Sequence, residues 1–167
     1  MRIHYLQHVP FEGPAFISTI AANNNYALSG TKIFDGEKLP LSDEFDVLAV
    51  LGGPMSVHDT GLFPWITEEM RFIEHCISGR KAVVGICLGA QMIAGVLGAS
   101  VTKNMFREIG WYPVTLSEEG RNARLFREFP ESFHAFHWHG ETFTIPAGCR
   151  HLAAREACGN QAFCYGD

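Results

Sequence analysis

Lys81-Ala-Val-Val-Gly85-Ile-Cys87-Leu-Gly89-Ala-Gln91-Met-Ile-Ala-Gly-Val-Leu-Gly98 is the stretch on which the fold turns. It opens with a short β-branched apolar run, the pattern of a buried strand. It turns sharply through Gly85 to Gly89 and closes with an Ala-rich apolar segment of helical length that stops at Gly98. A strand, a tight turn with a nucleophile at its tip and a helix make a nucleophile elbow, here with Cys in place of Ser. The tip residue of such an elbow is strained, and its neighbours must be small because strand and helix pass close by. The helix directs its N-terminal N–H groups and positive dipole end at the sulfur, which favours the attacking thiolate. Most intracellular cysteines are small core residues. Cys87 is singled out by its strand–turn–helix setting.

The segments before the elbow alternate in the same way. Arg2 to Gln7 reads as a first strand, and Gly13-Pro14 opens an amphipathic helix to about Asn23 with Phe16, Ile17 and Ile20 on one face. The triple Asn23-Asn-Asn25 is helix-exit chemistry. Ala27 to Phe34 reads as a second strand, turned by Asp35-Gly36. Phe45 to Leu51 is apolar but for Asp46, as suits the middle of a parallel sheet. It runs into Gly52-Gly53-Pro54, at the strand end where open α/β sheets bind ligands. A bare backbone there can aim an N–H at a developing oxyanion, although Gly-Gly-Pro by itself is first of all a turn. A helix follows from Phe63-Pro64-Trp65 to Gly79, with Ile66, Met70, Ile73 and Ile77 on its apolar face. Glu68, Glu69, Arg71 and Glu74 fall largely elsewhere. The alternation predicts an α/β fold with a doubly wound, mostly parallel, flavodoxin-like sheet and a site at the strand C-termini.

After Gly98 the pattern is strand-rich. Short strands are expected at Ala99 to Lys103, Arg107 to Leu116, Ser132 to His139, Thr142 to Ile145, His151 to Arg155 and Gln161 to Tyr165. A turn is expected at Ser117 to Gly120 and a brief helical turn at Leu125 to Phe129. These read as antiparallel additions to the α/β core. His137 and His139 share one strand face and His134 points the other way. An H-x-H pair can hold a metal, but the sequence offers no evident further ligands, so no metal site is expected.

The 167 residues suffice for one domain with a real core, and 47% hydrophobic with 19% charged residues is ordinary for a globular protein. The net charge of −5 and the lack of any basic run argue against a nucleic-acid partner. No apolar run reaches bilayer-spanning length, so no membrane partner is expected. The five cysteines contain no C-x-x-C, which disfavours a disulfide framework or structural zinc and fits a cytoplasmic setting.

Five segments, taken in order, resemble class I glutamine amidotransferases. They are Gly52-Gly-Pro-Met-Ser56, Gly85-Ile-Cys-Leu-Gly-Ala-Gln91, Arg107-Glu-Ile-Gly-Trp111, His137-Trp-His-Gly-Glu-Thr-Phe143 and Asn160-Gln-Ala-Phe163. The likeness is strongest to stand-alone proteins similar to the amidotransferase domain of GMP synthase, and it covers nearly the whole chain as a single domain, 1–167.

The resemblance implies that Cys87 attacks the side-chain amide of glutamine, releasing ammonia and leaving a thioester that water cleaves. It implies an oxyanion hole of Gly53 and Leu88 backbone N–H groups. Gln91, Gln161 and Phe163 are the implied substrate-binding residues, Gln161 and Phe163 through backbone atoms. His139 and Glu141 match a His-Gly-Asp segment near the family's site, with Glu for the more usual Asp. The implied small molecule is glutamine or a related γ-glutamyl compound. The resemblance also implies no cofactor, and a synthetase for a partner.

The family completes its triad with a His-x-Glu segment shortly after the Asn-Gln-Ala-Phe region, whose His serves as base and acid. The sequence reaches Asp167 before such a segment, which implies a domain shortened at its C-terminus. His139-Gly-Glu141 has the same spacing but matches the other segment, and is not taken as the triad. A non-catalytic binder or regulatory homologue is the alternative expectation.

Overall fold

A computed structural model of the chain describes residues 1–166. The chain divides into two compact units, Met1–Val96 and Leu97–Asp167. Among the described residues no helix is long and apolar enough to cross a membrane.

The first unit is α/β, as its alternation predicts. Its elements are β1 (Arg2–Gln7), α1 (Phe16–Asn23), β2 (Ala27–Lys32), β3 (Val47–Val50), α2 (Trp65–Ser78), β4 (Ala82–Gly85) and α3 (Leu88–Val96). All strand pairs are parallel, in the order β2-β1-β3-β4, the doubly wound order of a flavodoxin-like sheet. Leu6, Leu48, Val50, Ile66, Ile73, Leu88 and Met92 form the fully buried centre. The predicted second strand is shorter than expected, because Ile33–Asp35 winds into a 3-10 turn that ends at Gly36. Glu69 departs from its expected place on α2. It is buried on the same stripe as Ile66, Ile73 and Cys76, because it has a buried partner in His8.

The second unit is an antiparallel sheet of its own, in the order β6-β5-β7-β8. Its strands are β5 (Val101–Leu116), β6 (Ser132–Phe143), β7 (Arg150–Arg155) and β8 (Cys158–Cys164), with a short helix α4 (Glu118–Asn122) after β5. The two expected strands at 99–103 and 107–116 are one. The pairing of β5 with β6 resumes past an irregularity between Lys103 and Glu108, where Asn104 Nδ2 donates to the carbonyls of Phe106 and Ala157. The two expected at 132–139 and 142–145 are likewise one strand ending at Phe143, since Glu141 pairs with Lys103 and Gly140 lies opposite the irregularity in β5 instead of turning the chain. The expected turn at Ser117 is the start of α4, where the Ser117 hydroxyl accepts from the Gly120 N–H. Strand alternation turns Ile109, Trp111, Phe136 and Trp138 outward and sets Glu108, His137 and His139 on the other face.

The glycines of the elbow are required by contact. A Cβ on Gly89 would collide with the Val50 carbonyl oxygen, and one on Gly85 would lie 2.6 Å from the backbone of Gly89 and Ala90. Gly89→Ala is expected to cost about 3 kcal/mol of folding stability, the upper end for overpacking because the obstacle is backbone. Urea unfolding of the variant against the parent chain checks this.

Candidate functional site

Three neighbouring strands of the first unit end on one edge. β1 delivers His8, β3 delivers Gly52 and Gly53, and β4 delivers Cys87. This is the strand edge at which open α/β sheets bind ligands. Cys87 has φ 52°, a left-handed conformation that a residue with a Cβ adopts only under constraint. The constraint is local and hydrogen-bonded. The Ile86 N–H donates to Val50 O at 2.9 Å, the Gly89 N–H to Leu51 O at 3.2 Å, and the Gln91 N–H to Cys87 O at 3.1 Å. The turn is therefore tied to β3 before α3 begins. Cys87 is exposed at the tip, whereas Cys76 is buried in α2. Burial pushes the Cys76 thiol up to about 11, against the opposing charge of Lys81.

Gly52 and Gly53 lie against this tip. A Cβ on Gly52 would be 3.6 Å from Cys87 Cβ and 2.9 Å from Glu12 Oε2, so a carboxylate stands at the same spot. A Cβ on Gly53 would be 3.1 Å from both His8 Cβ and Leu88 Cδ2. The structure thus brings Cys87, Gly53 and Leu88 together, as the sequence leads one to expect. Gln91, one turn along α3, is buried.

A support that the sequence did not reveal lies beneath the glycines. His8 and Glu69 are wholly buried, with His8 Nε2 2.9 Å from Glu69 Oε1 and His8 Nδ1 2.9 Å from Gly52 O. Trp65 stacks on the His8 ring at 5.5 Å. A carbonyl only accepts, so His8 Nδ1–H donates to Gly52 and fixes the direction of that peptide. Burial, the largest single influence, works to lower the His8 pKa. The Glu69 hydrogen bond and charge, with the Gly52 carbonyl, together outweigh it and leave the pKa raised. With both nitrogens bound, His8 is a positioning residue and has no lone pair to offer as a base.

The other expected residues lie in the second unit. The His139 Nδ1–H donates to Glu141 O at 3.0 Å, and its Nε2 lies 3.1 Å from Glu108 Oε2. It is therefore the Glu141 carbonyl that orients this ring. Gln161 Nε2 donates to Glu108 Oε2 at 2.8 Å. The Gln161 side chain is thus committed to the protein. Phe163 packs edge-on against Phe143 at 5.1 Å. Glu108 is a hub that no local sequence pattern announces, buried with Arg155 on its other oxygen. Burial pushes the His137 pKa down, and the nearby Glu108 charge opposes this.

Residues 20–164 match the family model for glutamine amidotransferase class-I. The chain belongs to this family. A glutamine amidotransferase-like protein of Salmonella typhimurium, YfeJ, is 36% identical over the whole of this chain and 72% of its own length. The glutamine-hydrolysing GMP synthase subunit of Sulfurisphaera tokodaii is 30% identical over 81% of this chain and 68% of its own. The crystal structure of a glutamine amidotransferase from Thermotoga maritima superposes with a TM-score of 0.94 at 35% identity. It covers 99% of this chain and 72% of that one. The parallel sheet, the separate antiparallel sheet and the elbow are thus those of a class I amidotransferase fold.

The His8–Glu69 pair sets a pH dependence. A raised folded-state pKa contributes stability that is complete below the unfolded value of about 6.5, and that is lost as the pH rises through the folded value. Glu69→Gln is expected to destabilise the chain by about 3 kcal/mol at pH 6, since it strands a buried partner. The difference should narrow as the pH rises through the folded-state pKa. Thermal unfolding of both proteins across that range reads it, and a constant difference would refute the pairing.

Proposed function

We propose that the chain acts on the side-chain amide of glutamine, or of a related γ-glutamyl compound, with Cys87 as nucleophile. The observation that carries this reading is the exposed Cys87 at φ 52° on a strand–helix turn, with the Gly52–Gly53 backbone against it. Membership of the amidotransferase family supports amide hydrolysis in general. In the proposed reaction the Cys87 thiolate adds to the amide carbon. The C–N bond breaks, the nitrogen takes up a proton and leaves as ammonia, and a γ-glutamyl thioester remains. Water then adds to the thioester carbon, the C–S bond breaks, and glutamate departs with the thiolate restored.

Backbone N–H groups of Gly53 and Leu88 are the proposed oxyanion donors. Gly53 follows β3 and Leu88 follows the turn after β4, and these two strands are adjacent and parallel. His8 serves them at one remove by holding Gly52. Gln91 and the backbone about Gln161 and Phe163 are proposed to contact the substrate. A base must carry the thiol proton to the leaving nitrogen, and among the described residues His8 is excluded because both its ring nitrogens are bound. The ammonia acceptor is proposed to belong to a partner synthetase, by likeness to a relative that is itself one subunit of a GMP synthase.

A diazoketone analogue of glutamine tests the nucleophile without requiring turnover. Mass spectrometry of the treated chain is expected to find one adduct, on Cys87, slowed by excess glutamine and absent in Cys87→Ala. Cys76, buried and held at about 11, is expected to stay unmodified. Labelling that glutamine does not slow, or that persists in Cys87→Ala, would sink the assignment and favour a non-catalytic binder.

A further inference from the structure

The second unit holds a cluster for which the amidotransferase reading has no chemical use. The strand register sets Glu108 opposite His139, and His137 lies two residues along the same face. One donor atom from each of the three lies within 4.8 Å of the others.

Backbone carbonyls fix the tautomers of both rings. His137 Nδ1 lies 3.0 Å from Ala135 O and His139 Nδ1 lies 3.0 Å from Glu141 O. Carbonyl oxygens only accept, so each Nδ1 carries a hydrogen and each neutral ring presents a lone pair at Nε2. His139 Nε2 is buried and makes no hydrogen bond, although Glu108 Oε2 is 3.1 Å away. Two lone-pair atoms face each other at that distance, an unfavourable arrangement until a positive species stands between them.

Glu108 is itself anchored. Arg155 holds Oε1, and Gln161 Nε2 donates to Oε2 at 2.8 Å, which leaves that oxygen a second lone pair. Imidazoles tied by Nδ1–H to backbone carbonyls, with a carboxylate that is hydrogen-bonded in turn, form the outer shell by which proteins orient metal ligands.

We propose that Glu108, His137 and His139 bind a divalent transition-metal ion of the zinc class, leaving a fourth position for water or a small ligand. Two imidazoles and one carboxylate suit zinc better than the all-oxygen preference of calcium or magnesium. The 3.1 Å separation of His139 Nε2 and Glu108 Oε2 is close to the roughly 3.3 Å between two donors on a tetrahedral zinc. The widest separation in the set, up to 4.8 Å, contracts by about 1.5 Å on binding, within the reach of rotation about the His137 side-chain bonds. The Arg155 charge opposes that of the ion, so affinity is lower than for the same donors without it. The competing occupant of the gap is a proton on His139 Nε2, which would make an imidazolium–carboxylate pair and require no metal.

The test uses the full chain, stripped with chelator and titrated with Zn2+. Long-range nitrogen NMR of the histidine rings is read alongside native mass spectrometry. One ion is expected per chain, with the Nε2 resonances of His137 and His139 both shifting and their Nδ1 hydrogens retained. His137→Gln and His139→Gln are each expected to weaken binding about tenfold or more, with Cys87→Ala retaining it. No uptake, or uptake that moves neither Nε2 resonance, overturns the proposal. Because the NMR arm uses the unmutated protein, it decides the matter even if a variant fails to fold.

Discussion

The first unit depends on one close approach, that of Gly89 to the Val50 carbonyl at the end of the central strand. Only a residue without a side chain can let α3 start that near to β3. The nearness lets the Ile86 and Gly89 N–H groups bond to Val50 and Leu51. Those bonds, together with Gly85 beneath the helix, hold Cys87 at a positive φ. Strain at the tip is thus sustained by packing two residues away on either side. The exposure of the sulfur and its place at a helix N-terminus follow from the same contact. The nucleophile and its setting are one structural fact.

The opposite wall of the site is held by charge. Gly52 and Gly53 have no side chains with which to fix themselves, so an adjacent group must orient their peptides. His8 does so through the Gly52 carbonyl, and Glu69 holds His8 from the other side. A buried ion pair is a costly means of support, because both partners lose water. It does supply directional bonds where apolar packing would leave the peptide loose. Trp65, stacked on His8, closes the remaining face.

The parallel half of the fold was legible because each element has its own local signal. Apolar runs, helical spacing and Gly or Pro punctuation gave the element order of the first unit, and the elbow named Cys87. Glu69 was not legible, since a lone Glu on an amphipathic helix reads as solvated until a partner 61 positions away is known. A signal did exist in the spacing. Glu69 falls on the helical stripe of Ile66, Ile73 and Cys76, and an acidic residue there requires a buried counterpart. The long strands β5 and β6 were cut in two because Asn104, Gly140 and Glu141 look like breakers locally. Pairing on either side of the irregularity, Lys103 with Glu141 and Glu108 with His139, carries both strands through.

Glu108 explains why three separate motifs of the second half belong to one arrangement. A carboxylate buried this deeply must be met on both oxygens. Arg155 on β7 meets one, and Gln161 on β8 meets the other, with His139 on β6 alongside. Arg107-Glu-Ile-Gly, His137-Trp-His and Asn160-Gln therefore answer to one charge carried on β5. Removing any one donor leaves the others facing an under-satisfied anion, so these positions are coupled although they lie far apart in the chain. In a sheet whose outward face is apolar at Ile109, Trp111, Phe136 and Trp138, apolar contact there does not favour one register over a slipped one. The polar cluster on the other face does, since a slip of one residue in the β5–β6 pairing would take His139 away from Glu108.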